Sequence, residues 1–231
     1  MTLLQIDILS KFKQTTAFNT LISNPHVLMI YVGGSRSFDL QDEFSDYDII
    51  FITDEYQKSL DWNDKLRWVY QNCHIHVYQD VIYDLIQNYK SHWGAGVALL
   101  NMHELTYDKL LYVNSSKADV VQTILSSCKL LSNIGSIGFS LNHQFLIRDF
   151  VNYNIKKDTK RFYHLCIAYY ILLNKPLDKE FILKVKKSPY TPLSSENEIK
   201  LREMMVELRN HINNLKMCCP EGLFVNEHFH Q

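Results

Sequence analysis

Val27-Leu28-Met29-Ile30-Tyr31-Val32-Gly33-Gly34-Ser35-Arg36-Ser37 and, after a polar spacer, Ser45-Asp46-Tyr47-Asp48-Ile49-Ile50-Phe51-Ile52 organise the reading of this chain. The first is an apolar run that drives into a Gly-Gly-Ser turn. The second is an apolar run that opens with two carboxylates one residue apart. Side chains alternate along a strand, so Asp46 and Asp48 fall on one face. Like charges that close are costly unless a cation neutralises them. A divalent metal with oxygen ligands is the usual solution, and Mg2+ takes one or two carboxylates together with substrate phosphates. The small turn beside them lets phosphate approach backbone N–H groups closely. Metal and phosphate are therefore expected to meet here.

Composition sets the frame. The chain has 231 residues, 46% of them hydrophobic and 13% aromatic, which is enough length and apolar content to bury a core. With only 7 Gly and 5 Pro, long disordered linkers are not expected. A net charge of −1 gives no electrostatic case for broad nucleic-acid binding. The five cysteines, Cys73, Cys128, Cys166, Cys218 and Cys219, form no paired framework, so reduced thiols are expected. The N-terminus lacks a basic segment followed by a long apolar one, and the longest apolar run, 166–173, is too short to span a bilayer. A cytoplasmic protein without a membrane partner is the expectation.

Helical spacing of apolar residues predicts one helix over 4–22, ended by Asn24-Pro25, and a strand over 26–32 follows. The second strand covers 47–53, and residues 61–71 read as helical. Alternation in Cys73-His74-Ile75-His76-Val77-Tyr78 predicts a third strand, 81–89 a helix, and 104–113 a further strand or hairpin with an Asn114-Ser115-Ser116 exit. From 118 on the helical period dominates, over 118–131, 138–153, 159–174, 178–187 and 195–217, with an N-cap in Ser194-Ser195-Glu196-Asn197-Glu198. The expected fold class is α+β: a mixed sheet flanked by helices over 1–116 and an all-helical domain over 117–231.

Gly34-Ser35 at the end of one strand and Asp46-x-Asp48 on the next resemble the signature of the nucleotidyltransferase superfamily, the DNA polymerase beta-like fold. Gly-Ser-Arg-Ser and Asp-Tyr-Asp-Ile look most like its bacterial aminoglycoside branch, especially the streptomycin adenylyltransferase-like members. The close likeness spans about residues 27–52. It implies Mg2+-dependent transfer of a nucleoside monophosphate, AMP from ATP or the equivalent from another NTP, onto a hydroxyl of a small molecule such as an aminoglycoside. Asp46 and Asp48 would bind metal, in a two-metal arrangement with ions ~3.5–4 Å apart. Gly33, Gly34 and Ser35 would cradle the phosphates, and Arg36 would add charge to that clamp. Substrate in such enzymes binds between the α/β and helical parts.

The family usually carries a third carboxylate on the neighbouring strand, where this chain has His76. An imidazole can ligate a metal or take a proton from an attacking hydroxyl, so His76 stands as third ligand or base. The alternative is that His74 and His76 are two partly exposed strand histidines. The latter goes with a degenerate nucleotide-binding or interaction module. Modification of a protein or tRNA, as in toxin–antitoxin nucleotidyltransferases, is the other alternative. Asp80 is the nearest alternative acid, placed past the strand's end. Zinc on Cys73, His74 and His76 is disfavoured because neighbours this tight cannot all face one ion. Asp42 and Glu43 precede the paired acids; such loop acids are mostly solvated, but at a cleft they would attract a polycationic acceptor. Lys157, Lys160, Arg161 and His164 share a helix face, read first as a solvated side and alternatively as a contact for the triphosphate, whereas Tyr163, Tyr169 and Tyr170 read as core or interface.

Overall fold

The computed structural model describes residues 3–42, 45–60, 68–70, 73–82, 109–153, 159–188 and 190–218. The chain divides into two compact units, 1–132 and 133–231.

The first unit is a mixed sheet with helices on both faces. It opens with α1 (Leu3–Lys13) and α2 (Thr16–Ser23), where one helix was expected. The break is local chemistry: the Thr15 side chain accepts the Phe18 N–H, capping α2, while its hydroxyl donates to the Phe12 carbonyl and closes α1. Five strands follow: β1 (Val27–Val32), β2 (Tyr47–Thr53), β3 (Trp68–Tyr70), β4 (Cys73–Val81) and β5 (Leu110–Val113). Between β1 and β2 lies the helical turn α3 (Gly34–Ser37). The sheet order is β3-β4-β2-β1-β5. Only β2 and β4 among these neighbours run parallel, with Asp48 opposite His76 and Ile52 opposite Asp80.

Both long inner strands are buried on two faces, which explains their unbroken apolar runs. One face packs Val27, Ile30, Ile49 and Phe51 against Phe12 and Leu21 of α1 and α2. The other packs Met29, Tyr31, Ile50 and Ile52 against Val121, Ile124 and Cys128 of α4 (Ala118–Asn142).

Three expectations are corrected here. Residues 68–70, read as helix, form β3, because Trp-Val-Tyr suits a pleated surface and pairs with 73–75. Asp80 and Val81, read as lying beyond the third strand, belong to β4. The separate helices over 118–131 and 138–153 are instead one helix to Asn142 and then α5 (Gln144–Tyr153), with His143 at the junction. Gly135 and Gly138 do not break α4, although each weakens it by about 1 kcal/mol relative to Ala. The expected segments 61–67, 83–89 and 104–108 lie outside the described residues. By length and composition, Ser115–Asn142 is apolar enough to cross a membrane, at mean hydropathy 1.2. Its Val121, Ile124 and Cys128 side nonetheless packs on the sheet.

The second unit, from residue 133, contains α5, α6 (Thr159–Leu172), α7 (Lys179–Lys187) and α8 (Ser195–Cys218). Asp178 caps α7 by accepting the Phe181 N–H, and Ser194 caps α8 through the Asn197 N–H. Tyr163, Tyr169 and Tyr170 are buried, in keeping with the core reading.

Candidate functional site at the corner of β1, β2 and β4

The end of β1 and the starts of β2 and β4 lie at the same corner of the sheet, because β1 antiparallels β2 and β2 parallels β4. Three of the singled-out side chains, those of Asp46, Asp48 and His76, come from this corner. Asp48 pairs in register with His76. His76 Nε2 stands 3.4 Å from Asp46 Oδ2.

The turn after β1 is fitted to these acids. Gly34 has φ +60, a left-handed conformation that favours glycine, and a Cβ there would sit 1.9 Å from Asp48 Oδ2. The backbone of the turn thus lies directly against the carboxylate. Gly33 differs from the expectation of a phosphate cradle, since its N–H donates to the Asp48 carbonyl at 2.7 Å. This leaves the amides of Gly34 and Ser35 as the candidates for anion contact.

Arg36 also departs from its expected use. It is buried, and Nε donates to the Asp46 carbonyl at 3.1 Å while Nη2 donates to the Ser45 carbonyl at 2.6 Å. The guanidinium lies 3.8 Å from the centroid of the Tyr47 ring. Asp42 closes the spacer instead of projecting as a lone acid: its N–H donates to Ser45 Oγ, and its carboxylate accepts from the same hydroxyl. Sequence reasoning missed Tyr47 as the shelf for Arg36. The only available hint was an aromatic residue between two acids on an otherwise aliphatic strand.

On β4, His74, His76 and Tyr78 form a stacked ladder, with ring centroids 6.3 and 6.2 Å apart. His74 is exposed and His76 part-buried. Asp80 is on the same face but about 13 Å further along at strand rise. It is buried near Tyr31, whose phenol is pushed up first by burial and then by the Asp80 charge. Asp80 therefore belongs to another part of the sheet.

Among the described residues, no three His, Cys, Asp or Glu side chains converge as a metal centre. A Mg2+ ion does not need three protein ligands, because substrate phosphates complete its shell. Asp46 and Asp48, with His76 3.4 Å from Asp46 and a turn beside them that has no room for a side chain, are the residues that would hold a cation arriving with phosphate.

No family profile matches this chain, and no curated protein matches it. A solved structure bears a weak likeness. It is a nucleotidyltransferase-like protein from Exiguobacterium sibiricum 255-15, 14% identical, with a TM-score of 0.32 over 87% of this chain and 73% of that one. The geometry of the corner stands without it.

The expected basic helix face is otherwise engaged where it is described. Arg161 donates to His143 Nε2, and His143 Nδ1 donates in turn to the Phe139 carbonyl, so His143 is the neutral Nδ1–H tautomer. The His164 ring meets Phe139 edge-on. Glu43 and Lys157, and the Lys160 side chain, lie outside the described residues.

Proposed function

We propose that this protein is a nucleotidyltransferase that moves AMP from ATP onto a hydroxyl of a small molecule, with Mg2+ as its cation. The observation that carries the reading is the fit of Gly34 against Asp48: backbone amides with no side chain in the way, beside paired acids. Asp46 and Asp48 would hold the cation. When bound, it would neutralise charge on the phosphoryl oxygens. The Gly34 and Ser35 amides and the Ser35 hydroxyl would bind the β- and γ-phosphates. The acceptor oxygen attacks the α-phosphorus, the bond to the pyrophosphate oxygen breaks, and pyrophosphate leaves. His76, next to Asp46, would take the hydroxyl proton. An aminoglycoside-like acceptor extends the same proposal, on the sequence resemblance alone.

One observation favours a second reading, that of a nucleotide-binding module without turnover. His76 Nε2 lies 3.4 Å from Asp46 Oδ2, so an imidazole faces the carboxylate that would otherwise be turned to a cation.

Calorimetry with ATP and Mg2+ tests the binding step. The wild type should bind in a Mg2+-dependent way, and Asp46→Asn and Asp48→Asn should each weaken this by at least roughly tenfold. Metal-independent binding, or none, would sink the proposal. Labelled ATP incubated with fractionated lysate tests the transfer step: label in small molecules supports the proposed acceptor, whereas label in protein or RNA overturns it. Binding without transfer selects the second reading.

A further inference from the structure

We infer that Arg36 is a positioning residue: by gripping the main chain at Ser45 and Asp46, it fixes where the Asp46 carboxylate stands and so how tightly the corner binds a metal–nucleotide complex. This rests on the nucleotidyl-transfer reading above.

The starting point is an unusual burial. Arg36 is 9% exposed, yet among the described residues no carboxylate pairs with it. Burying a cation is expensive, and apolar replacements of buried ionic groups are often neutral or stabilising. Two neutral carbonyls and the face of Tyr47 are what hold this one. All three contacts fall on consecutive residues, Ser45, Asp46 and Tyr47. A planar guanidinium can donate two parallel bonds and stack at once, which an ammonium cannot do.

Apart from His76, 3.4 Å from its Oδ2, Asp46 has little else among the described residues to hold it. It precedes the first residue of β2, so the ladder register with β4 begins only at Tyr47. Its side chain is 46% exposed, so packing does not immobilise it. The same helical turn touches the other acid, since Gly34 abuts Asp48. Residues 34 and 36 thus register both carboxylates, one through its side chain and the other through its carbonyl. The spacing between the acids is set by α3 as well as by the strand.

The test is calorimetry of ATP binding to the full chain, in Mg2+ and separately in EDTA, for wild type, Arg36→Lys, Arg36→Met and Asp46→Asn, with thermal melting alongside. Arg36→Lys should weaken binding in Mg2+ by roughly tenfold, the effect of losing one charged hydrogen bond. It should leave the EDTA affinity unchanged and raise the Mg2+ concentration needed for half-maximal effect, as Asp46→Asn does. Arg36→Met, which keeps the length and loses both donors, should do the same and serves if the lysine variant does not fold. Wild-type affinity in both variants would overturn the inference, as would an equal loss in Mg2+ and EDTA, the mark of general damage. In both cases the wild type still binds ATP with Mg2+. If the wild type itself shows no Mg2+-dependent binding, the nucleotidyl-transfer reading falls and the role of Arg36 falls with it.

Discussion

Gly33 and Gly34 are neighbours with different obligations. A Cβ on Gly34 would strike the Asp48 carboxylate, and its φ of +60 disfavours any other residue. Gly34→Ala should therefore cost at least about 1–2 kcal/mol from the left-handed backbone alone. It should also abolish Mg2+-dependent ATP binding, as read by urea melts and calorimetry. At Gly33 φ is −101, and the close contact is the tip of the Ile50 side chain, which can turn away. Gly33→Ala should lower stability less and keep binding. Equal losses in the two variants would argue against the apposition at Gly34. Both glycines stand out in the sequence as turn formers. What separates them is a contact with a strand residue fourteen positions further on, which no local pattern carries.

Elements are held at their ends by side chains that are individually weak and jointly specific. At the opposite end of the sheet, Asp54 bonds Lys117 at 2.7 Å and His26 Nδ1 at 2.8 Å, tying the exit of β2 to the approach to β1 and the exit of β5. Burial acts to raise the Asp54 pKa, but the hydrogen bonds from Lys117 and His26 outweigh it and hold the carboxyl below its usual range. A lowered native pKa means the stabilisation is present above the unfolded value of about 3.9 and is lost as pH falls through the native value. Urea midpoints taken down this acid range should thus fall more steeply for wild type than for Asp54→Asn. Parallel curves would contradict the network. On α4, Ser132, Ser136 and Ser140 are fully buried, and among the described residues their hydroxyls have no partner. Ser136→Ala and Ser140→Ala should each be neutral or raise stability by up to about 1 kcal/mol, because an unsatisfied buried hydroxyl costs more than a methyl. Helix and strand periods predicted β1, β2, α7 and α8 well, since each carries its own pattern and its own stops. β3 has no such autonomy: it is three residues long and exists through its partner, so local spacing misread it. The split expected within α4 likewise failed, because Ser132, Asn133, Gly135 and Ser136 thin its apolar pattern while the helix itself runs on to Asn142.

At the scale of the molecule, the absence of a disulfide framework in the sequence has a measurable counterpart. Cys128 and Cys166 are free and buried. Burial pushes the Cys128 thiol up to about 12 and Cys166 higher still. In a variant with Cys73, Cys218 and Cys219 replaced by serine, a thiol reagent at pH 8 should react with neither until denaturant is added. Prompt reaction in buffer would show that the cores open more readily than their packing suggests. The order of secondary structure was readable because composition shifts from strand-forming to helix-forming residues along the chain. The corner site was readable only as a set of residues. Its arrangement depends on which strands run side by side, and the partners of Arg36 were not legible because they are carbonyls, which carry no letter in a sequence. The parallel pairing of β2 with β4 also has a consequence in time. The acids are brought to the turn by an antiparallel pairing across a short spacer, whereas His76 reaches Asp48 only after the chain has travelled back along the sheet. Closing the longer loop is the slower event. The expected order of assembly is therefore carboxylates first and imidazole last.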